Sequence, residues 1–368
     1  MPGRIKAQSG AMAAALGLAS LPADAWQSQR NPALEAVRLV ADGDGLFIIS
    51  TSFQGAIRIR IDAEAEGELA VPLTVLTTLV RHFPADAKIA IVAEDQAAMV
   101  TAANSSFKVP ISPLAALREL PVLGTETGRV ELDARIARDL FARPAFAADD
   151  DMSRAYLSGI LLHSVGENLI AVATDGVRLC RISAPATTTL SDDRTLIIPK
   201  GMVRIISRLL GNASGNVTLR RSERLFAIEG ADFAVVSTRI DATYPAYERS
   251  IPSAGPNVIT TSRAEMRDAL ARFAAVANPQ TRPHILSLRW DGRGLYLRAD
   301  GSEDRLPAAT EGEAVLAVRT RFLAETIDAV RGNSVRIHAT EPGRIVLITD
   351  PEDESFLAGL MPIRPRSS

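Results

Sequence analysis

A helix followed by three short strands occurs three times along this chain, and this internal repeat limits the folds that it can adopt. In the clearest copy, residues 200–211 carry apolar side chains at helical spacing and end at Gly211 and Asn212. Short apolar runs bounded by turn-forming residues follow up to Ile240, as is typical of antiparallel strands. The other copies begin near Pro72 and Arg319, 127 residues before and 120 residues after the equivalent Pro199. A repeat of this length predicts three similar domains.

Local patterns assign the remaining segments to the same kind of domain. Asp-Gly-Asp-Gly at 42–45 lies between two apolar runs and predicts a β-hairpin. Asp133 is a predicted helix N-cap, and Ser262 with Glu265 has the spacing of a capping box. The prediction is an α+β fold in which each domain has two helices and antiparallel sheets. The predicted domains are 1–127, 128–253 and 254–368.

The composition indicates a globular chain and argues against a membrane protein. Of the 368 residues, 47% are hydrophobic, and no run approaches the roughly 18 apolar residues that a membrane span requires. The first 21 residues fit a short amphipathic helix better than a signal peptide, so we expect a cytoplasmic protein. The single cysteine, Cys180, excludes an internal disulfide and a cysteine metal cage.

The basic residues are informative through their positions rather than their number. The net charge is −2, and four of the 41 basic residues are lysines, so the arginine count is explained by codon bias in a GC-rich genome. Lys200, Arg204 and Arg208, however, recur four residues apart on one face of a predicted helix. Such a face is either solvated or directed at phosphate groups.

The sequence does not favour an enzyme. The four histidines fall in separate segments without metal-ligand spacing, and no glycine-rich phosphate loop of the Walker or dinucleotide type occurs. Asp175 near Arg178 is a candidate catalytic carboxylate, but no second carboxylate or nucleophile accompanies it in sequence. We therefore predict a non-catalytic protein with no cofactor and no metal, and keep an enzyme as a remote alternative.

Four segments in order carry a resemblance to a known family. The chain resembles the bacterial DNA polymerase III beta subunit, the sliding clamp, and the resemblance is weakest over residues 1–30. The segments are Tyr-Leu-Ser-Gly-Ile at 156–160, Ala-Thr-Asp-Gly-Val-Arg-Leu at 173–179, Tyr-Pro-Ala-Tyr-Glu-Arg at 244–249 and Leu-Met-Pro-Ile-Arg at 360–364.

The resemblance implies the DNA clamp fold, in which two chains join head to tail and form a closed ring around duplex DNA. A ring that slides needs positive charge toward phosphate and no readout of base edges. The positions implied to face DNA are Lys200, Arg204, Arg208, Arg135 and Arg138. The positions implied to form the interface of the homodimer are Phe107, Val109, Ala275 and Val276.

The resemblance also implies a groove that binds short linear motifs of DNA polymerases, clamp-loader subunits and repair proteins. Apolar walls would hold the hydrophobic side chains of the peptide, and a few polar groups would orient it. The implied groove residues are Leu157, Thr174, Gly176, Arg178, Leu179, Pro245, Arg249, Met361, Pro362, Ile363 and Arg364.

Three residues at the implied groove depart from the family pattern. Val177 stands where histidine is common, Glu248 where a basic residue is common, and Ser250 where an aliphatic residue is usual. These departures leave two alternatives beside the housekeeping clamp. One is a diverged clamp-like paralogue with weaker affinity for standard clamp-binding peptides, and the other is a scaffold protein that forms no ring.

Overall fold

A computed structural model describes residues 3–21, 36–52, 54–117, 120–277, 284–341 and 343–363. Across these residues one order of elements occurs three times: a strand, a helix, four or five strands, a second helix and three strands. The predicted α+β fold, with two helices and antiparallel strands in each repeat, is confirmed.

The three repeats have the following bounds. The first contains β1 (Arg4–Gln8), α1 (Ser9–Ala19), β2 (Ala36–Asp42), β3 (Gly45–Thr51), β4 (Gly55–Asp62), β5 (Glu64–Glu66), β6 (Glu68–Pro72), α2 (Leu73–Arg81), β7 (Lys88–Ala93), β8 (Ala97–Ala102) and β9 (Ser105–Pro110). The second contains β10 (Gly128–Asp133), α3 (Ala134–Ala142), β11 (Gly159–Val165), β12 (Asn168–Thr174), β13 (Arg178–Pro185), β14 (Ile197–Pro199), α4 (Lys200–Asn212), β15 (Asn216–Arg221), β16 (Leu225–Glu229) and β17 (Phe233–Thr238). The third contains β18 (Asn257–Ser262), α5 (Arg263–Val276), β19 (Ile285–Asp291), β20 (Gly294–Ala299), β21 (Ser302–Leu306), β22 (Ala308–Glu311), β23 (Ala314–Arg319), α6 (Thr320–Ala329), β24 (Ser334–Ala339), β25 (Val346–Asp350) and β26 (Asp353–Leu360).

The local signals in the sequence produce the turns and caps that they predict. The hairpin at 42–45 joins β2 to β3 through Gly43, whose φ of 56° lies in the left-handed region that glycine adopts without strain. The Ser262 hydroxyl accepts the backbone N–H of Glu265 at 3.4 Å, as the capping box predicts. The Asp133 carboxylate accepts the backbone N–H of Arg135 at 2.8 Å and so caps α3.

Each repeat contributes strands to two sheets, and neighbouring repeats share a sheet. An eight-stranded sheet has the order β10-β15-β16-β17-β4-β3-β2-β6, so the last strand of the second repeat pairs with β4 of the first. A nine-stranded sheet has the order β14-β11-β12-β13-β26-β25-β24-β18-β22, so the last strand of the third repeat pairs with β13 of the second. The remaining sheets are β5-β1-β7-β8-β9 and β21-β20-β19-β23. The sheets therefore cross the repeat boundaries.

The chain divides into two compact units that do not coincide with the repeats. The first comprises Met1–Arg138, Ala186–Ser191 and Gly201–Arg239, and contains the five-stranded and eight-stranded sheets. In it α1 packs beside α2 and buries Met12 and Leu16. The second comprises Asp139–Pro185, Asp192–Lys200 and Ile240–Ser368, and contains the other two sheets and the neighbouring helices α5 and α6. Both units thus hold strands of the second repeat. No helix among the described residues is long and apolar enough to span a membrane.

Candidate functional site

A groove of about 510 Å³ opens in the second unit, beside the junction of β13 and β26. It is lined by Tyr156, Leu157, Thr174, Gly176, Val177, Arg178, Leu179, Pro245, Ala246, Tyr247, Arg249, Ser250, Pro252, Gly343, Arg344, Ile345 and Met361. These residues come from a 3-10 helix at Met152–Leu157, the turn between β12 and β13, a 3-10 helix at Tyr247–Ser250, the loop before β25, and the residue after β26. The volume lies within the range of pockets that bind small ligands and short peptides.

The turn between β12 and β13 forms one wall, and its own side chains hold it. Asp175 accepts the backbone N–H groups of Val177 and Arg178, both at 2.8 Å. The Thr174 hydroxyl accepts the N–H of Gly176 at 3.1 Å and donates to the Arg178 carbonyl at 2.7 Å. Gly176 has a φ of 86°, a conformation that other residues rarely adopt. The Asp175-Gly176 pair is therefore a turn whose polar groups are already satisfied.

Arg178 lies beneath this wall and links the second repeat to the third. Its side chain is 5% exposed and forms ion pairs with Asp175, at 2.9 Å, and with Glu325 of α6. Its guanidinium group also lies 4.2 Å from the centre of the Phe322 ring, within the range of a cation–π contact. The predicted role of Arg178 in orienting a ligand thus competes with a structural role, because both carboxylates already use its donors.

A buried histidine supports the floor of the groove. His163 is fully buried; its Nδ1 lies 2.6 Å from Asp192, and its Nε2 lies 3.1 Å from the Tyr247 hydroxyl. Burial lowers the pKa of His163, although hydrogen bonding to Asp192 opposes this effect. Burial also raises the pKa of Tyr247 to about 12. Tyr247 begins the 3-10 helix that carries Arg249, so this network positions one side of the groove.

The structure brings most of the predicted groove residues together. Eight of them line the cavity, and these are Leu157, Thr174, Gly176, Arg178, Leu179, Pro245, Arg249 and Met361. Pro362 and Ile363 do not line it, because the chain turns toward the four-stranded sheet, where the Ile363 N–H donates to the Ala317 carbonyl at 2.7 Å. Arg364 lies outside the described residues. The segment 343–345 was not predicted, and no motif in the sequence marks it.

The predicted DNA-facing residues differ in how far they are already paired. Lys200 donates to Asp150 at 2.5 Å and to the Ala148 carbonyl at 3.0 Å, so its charge is partly neutralised. The hydrogen bond from Lys200 lowers the pKa of Asp150. Arg135 is exposed and lies 3.3 Å from Asp133.

The other three candidates, Arg138, Arg204 and Arg208, are exposed, and none has an ion pair within the part of the chain that the structure describes. These three arginines are therefore the most available for phosphate groups.

The predicted interface residues also differ in exposure. Phe107 on β9 is 44% exposed and packs edge-on against Phe83, with ring centres 6.0 Å apart. Ala275 is exposed and Val276 is 68% exposed at the end of α5. Val109 lies two residues further along β9, on the same face of the strand as Phe107, but it is only 2% exposed. Its side chain is therefore closed to a second chain, and only its backbone can take part in an interface.

The described residues contain no group of three histidine, cysteine or acidic side chains placed to hold a metal ion. Cys180 is fully buried, and burial raises the pKa of its thiol to about 12, so it is not a reactive thiolate.

Three family models match consecutive parts of the chain. They describe the N-terminal, central and C-terminal domains of the DNA polymerase III beta subunit, and match residues 26–121, 131–246 and 248–364. The chain belongs to the DNA polymerase III beta subunit family. This family consists of non-catalytic processivity factors, the sliding clamps. The resemblance seen in the sequence is confirmed.

Individual family members are similar over nearly their whole length. The beta sliding clamp of Pseudomonas aeruginosa is 27% identical over 91% of this chain and 93% of its own, and that of Caulobacter vibrioides is 26% identical over 90% and 92%. A solved sliding clamp from Pseudomonas aeruginosa, bound to griselimycin, has a TM-score of 0.90 at 25% identity and covers 99% of this chain and 100% of that chain. The Caulobacter crescentus clamp structure has a TM-score of 0.87 at 23% identity, covers 99% of both chains and shares the fold.

Proposed function

We propose that this chain is a DNA sliding clamp that encircles duplex DNA as a head-to-tail dimer and tethers DNA polymerase through the groove. The observation that carries the proposal is the repeated way in which strands of neighbouring repeats pair. Each repeat supplies two groups of hydrogen-bonded strands. The first group ends at β4, β13 or β21 in the first, second or third repeat, and the second group ends at β9, β17 or β26. Two junctions are made within the chain, β17 with β4 and β26 with β13. The strands β9 and β21 remain as outer strands of their sheets.

A second copy of the chain can complete this pattern. If β9 of one copy pairs with β21 of another, the new junction repeats the two internal ones, and two copies use every open edge of this type. Lys108 on β9 and Glu303 on β21 are both exposed and have opposite charges. Phe107 on β9 and Val276, in the same repeat as β21, supply exposed apolar surface. The interface would be heterologous and would close after two chains.

The proposed DNA contact is electrostatic and independent of sequence. Arg204 and Arg208 on α4, with Arg135 and Arg138 on α3, would face phosphate groups, and enclosure rather than contact energy would retain the protein on DNA. The groove would take short linear motifs from DNA polymerases, clamp-loader subunits and repair proteins, by insertion of aliphatic side chains between Leu179, Tyr247 and Met361. A protein acting on bacterial DNA in this way would work in the cytoplasm.

The oligomeric state tests the interface. Native mass spectrometry and light scattering at micromolar concentration should give a dimer of the 39.3 kDa chain. Phe107→Asp should weaken that dimer, because it places a charge in a small apolar contact. Val165→Asp is the matched control, since Val165 is similarly exposed, at 47%, on a hairpin of another repeat. A monomer at these concentrations would reject the ring and favour the scaffold alternative.

Retention on DNA tests enclosure. After loading, the protein should stay on closed circular duplex and be lost when the circle is cut, with little dependence on sequence. Tight sequence-specific binding to a short linear duplex would contradict the proposal.

A further inference from the structure

We infer that the groove selects peptides that carry an acidic side chain beside their aliphatic ones, and that Arg344 is the residue that recognises the acid. This inference rests on the proposed function of the groove and adds the chemistry of its partner. Three arginines and no aspartate or glutamate are among the residues that line the cavity. The groove is thus an apolar depression with a positive rim, and charge complementarity favours an acidic ligand.

The three arginines are not equivalent. Arg178 is neutralised by Asp175 and Glu325 beneath the wall. Arg249 is exposed and makes no ion pair within the described ranges, because Glu248 next to it is held by Arg194 through bonds of 3.0 and 3.1 Å. The positive charge that a ligand meets therefore comes from Arg249 and Arg344.

Arg344 is held in place by its backbone while its side chain stays accessible. Its N–H donates to the Glu341 carbonyl at 3.1 Å, and the next residue, Ile345, is 9% exposed and packs against Gly359 of β26. The side chain is 66% exposed, and its ion pair with Glu341, at 3.3 Å, joins it to a carboxylate that is 76% exposed. Exposed ion pairs of this kind contribute little to the stability of the protein. A ligand carboxylate can therefore replace Glu341 at small cost.

The geometry of the guanidinium group explains why arginine suits this position. It can donate two parallel hydrogen bonds to one carboxylate, whereas a lysine ammonium acts as a point charge. A bound peptide would also exclude water from the apolar floor beside Arg344, and this strengthens a charge-assisted hydrogen bond.

The test uses two pairs of peptides and the full-length protein. In the first pair, acetyl-Asp-Leu-Ala-Leu-Phe-amide is compared with the same peptide carrying asparagine in place of aspartate (the amide peptide). In the second pair, acetyl-Leu-Ala-Leu-Phe-Asp-amide is compared with its asparagine form in the same way. The acidic residue is thus tested at either end of the peptide, so that either end can reach Arg344. Affinities are measured by isothermal calorimetry at 50 and 300 mM salt. In one pair the acidic peptide should bind about tenfold more tightly than the amide at low salt, with a smaller difference at high salt.

Three variants assign the effect to a residue. Arg344→Gln should reduce the preference to less than twofold, because it weakens binding of the acidic peptide much more than binding of the amide peptide, and Arg344→Lys should restore only part of the preference. Glu341→Gln should increase affinity for the acidic peptide, because it removes the competing carboxylate. A preference that survives in Arg344→Gln but is lost in Arg249→Gln would overturn the assignment to Arg344.

The outcomes separate this inference from the proposed function. If the amide peptides bind and neither acidic peptide is preferred, the inference is wrong and the groove remains a peptide site. If no peptide binds at millimolar concentration, the proposed groove function fails, and the inference fails with it.

Discussion

Replacing Arg178 by methionine should destabilise the second compact unit by about 3 kcal/mol. Arg178 is 5% exposed, and the side chains of its partners Asp175 and Glu325 are 13% and 27% exposed. Breaking a buried ion pair by removing one partner costs about 3–5 kcal/mol, because the remaining charge is left uncompensated. The lower end applies here, since Asp175 keeps two backbone N–H donors and Glu325 keeps its contact with Arg321 at 2.7 Å.

The measurement requires a probe that reports on this unit alone. The chain has two tryptophans, and Trp290 is fully buried in the four-stranded sheet of the second unit. In a Trp26→Phe background, the fluorescence of Trp290 during urea unfolding gives the free energy of that transition. Arg298→Met is the matched control, because its pair with Glu303 is exposed on both sides, and it should cost less than about 0.5 kcal/mol.

A double variant distinguishes an uncompensated charge from lost packing. Arg178→Met combined with Glu325→Gln should recover about 1–2 kcal/mol, because the carboxylate that lost its partner is no longer charged. A loss below about 1 kcal/mol for Arg178→Met alone would refute the reasoning, and would leave Arg178 free to act on a ligand. No recovery in the double variant would instead assign the loss to the contacts with Phe322.

Two further predictions concern the buried histidine and the helix arginines. The pKa of His163 in the folded protein lies below the unfolded value of about 6.5. The contribution of neutral His163 to the free energy of unfolding is therefore complete above that pH, and stability decreases as the pH falls below it. His163→Gln should therefore reduce the drop in melting temperature between pH 7.5 and 5.5, whereas His82→Gln, at an exposed position, should leave that drop unchanged. Arg204→Glu with Arg208→Glu should lower loading on circular DNA several-fold without changing the melting temperature by more than a few degrees. An equal effect of Arg298→Glu, at an exposed position on β20, would argue against a specific DNA face.

Local patterns in the sequence predicted the elements of the fold but not the way in which the repeats join. Helix α4 lies within one residue of its predicted end, because apolar spacing and the residues that stop a helix act over a few positions. The pairing of β17 with β4 joins strands far apart in the chain, and no local pattern specifies it. For the same reason, compact units that cut across the second repeat could not be predicted.

The groove was predicted where its walls carry motifs and missed where they do not. The turn at 174–179 and the 3-10 helix at Tyr247–Ser250 belong to segments with a recognisable pattern. The loop of Arg344 has no such pattern, and it reaches the groove only through the pairing of β25 with β26. The role of Arg178 depends on Glu325, 147 residues away, so the sequence could not show that its charge was already neutralised.

The shared sheets also determine when the chain can fold during synthesis. Strand β4 (Gly55–Asp62) cannot complete its sheet until β17 (Phe233–Thr238) has been made, and 170 residues lie between the end of one and the start of the other. At about 5–20 residues per second, this leaves the edge of β4 open for roughly 10–30 s. The two strands approach each other closely at Gly55, where a β-carbon would lie 2.1 Å from the Val236 carbonyl oxygen. The first repeat therefore emerges from the ribosome with an unpaired edge, and the period in which it is most exposed to aggregation ends only when two thirds of the chain exists.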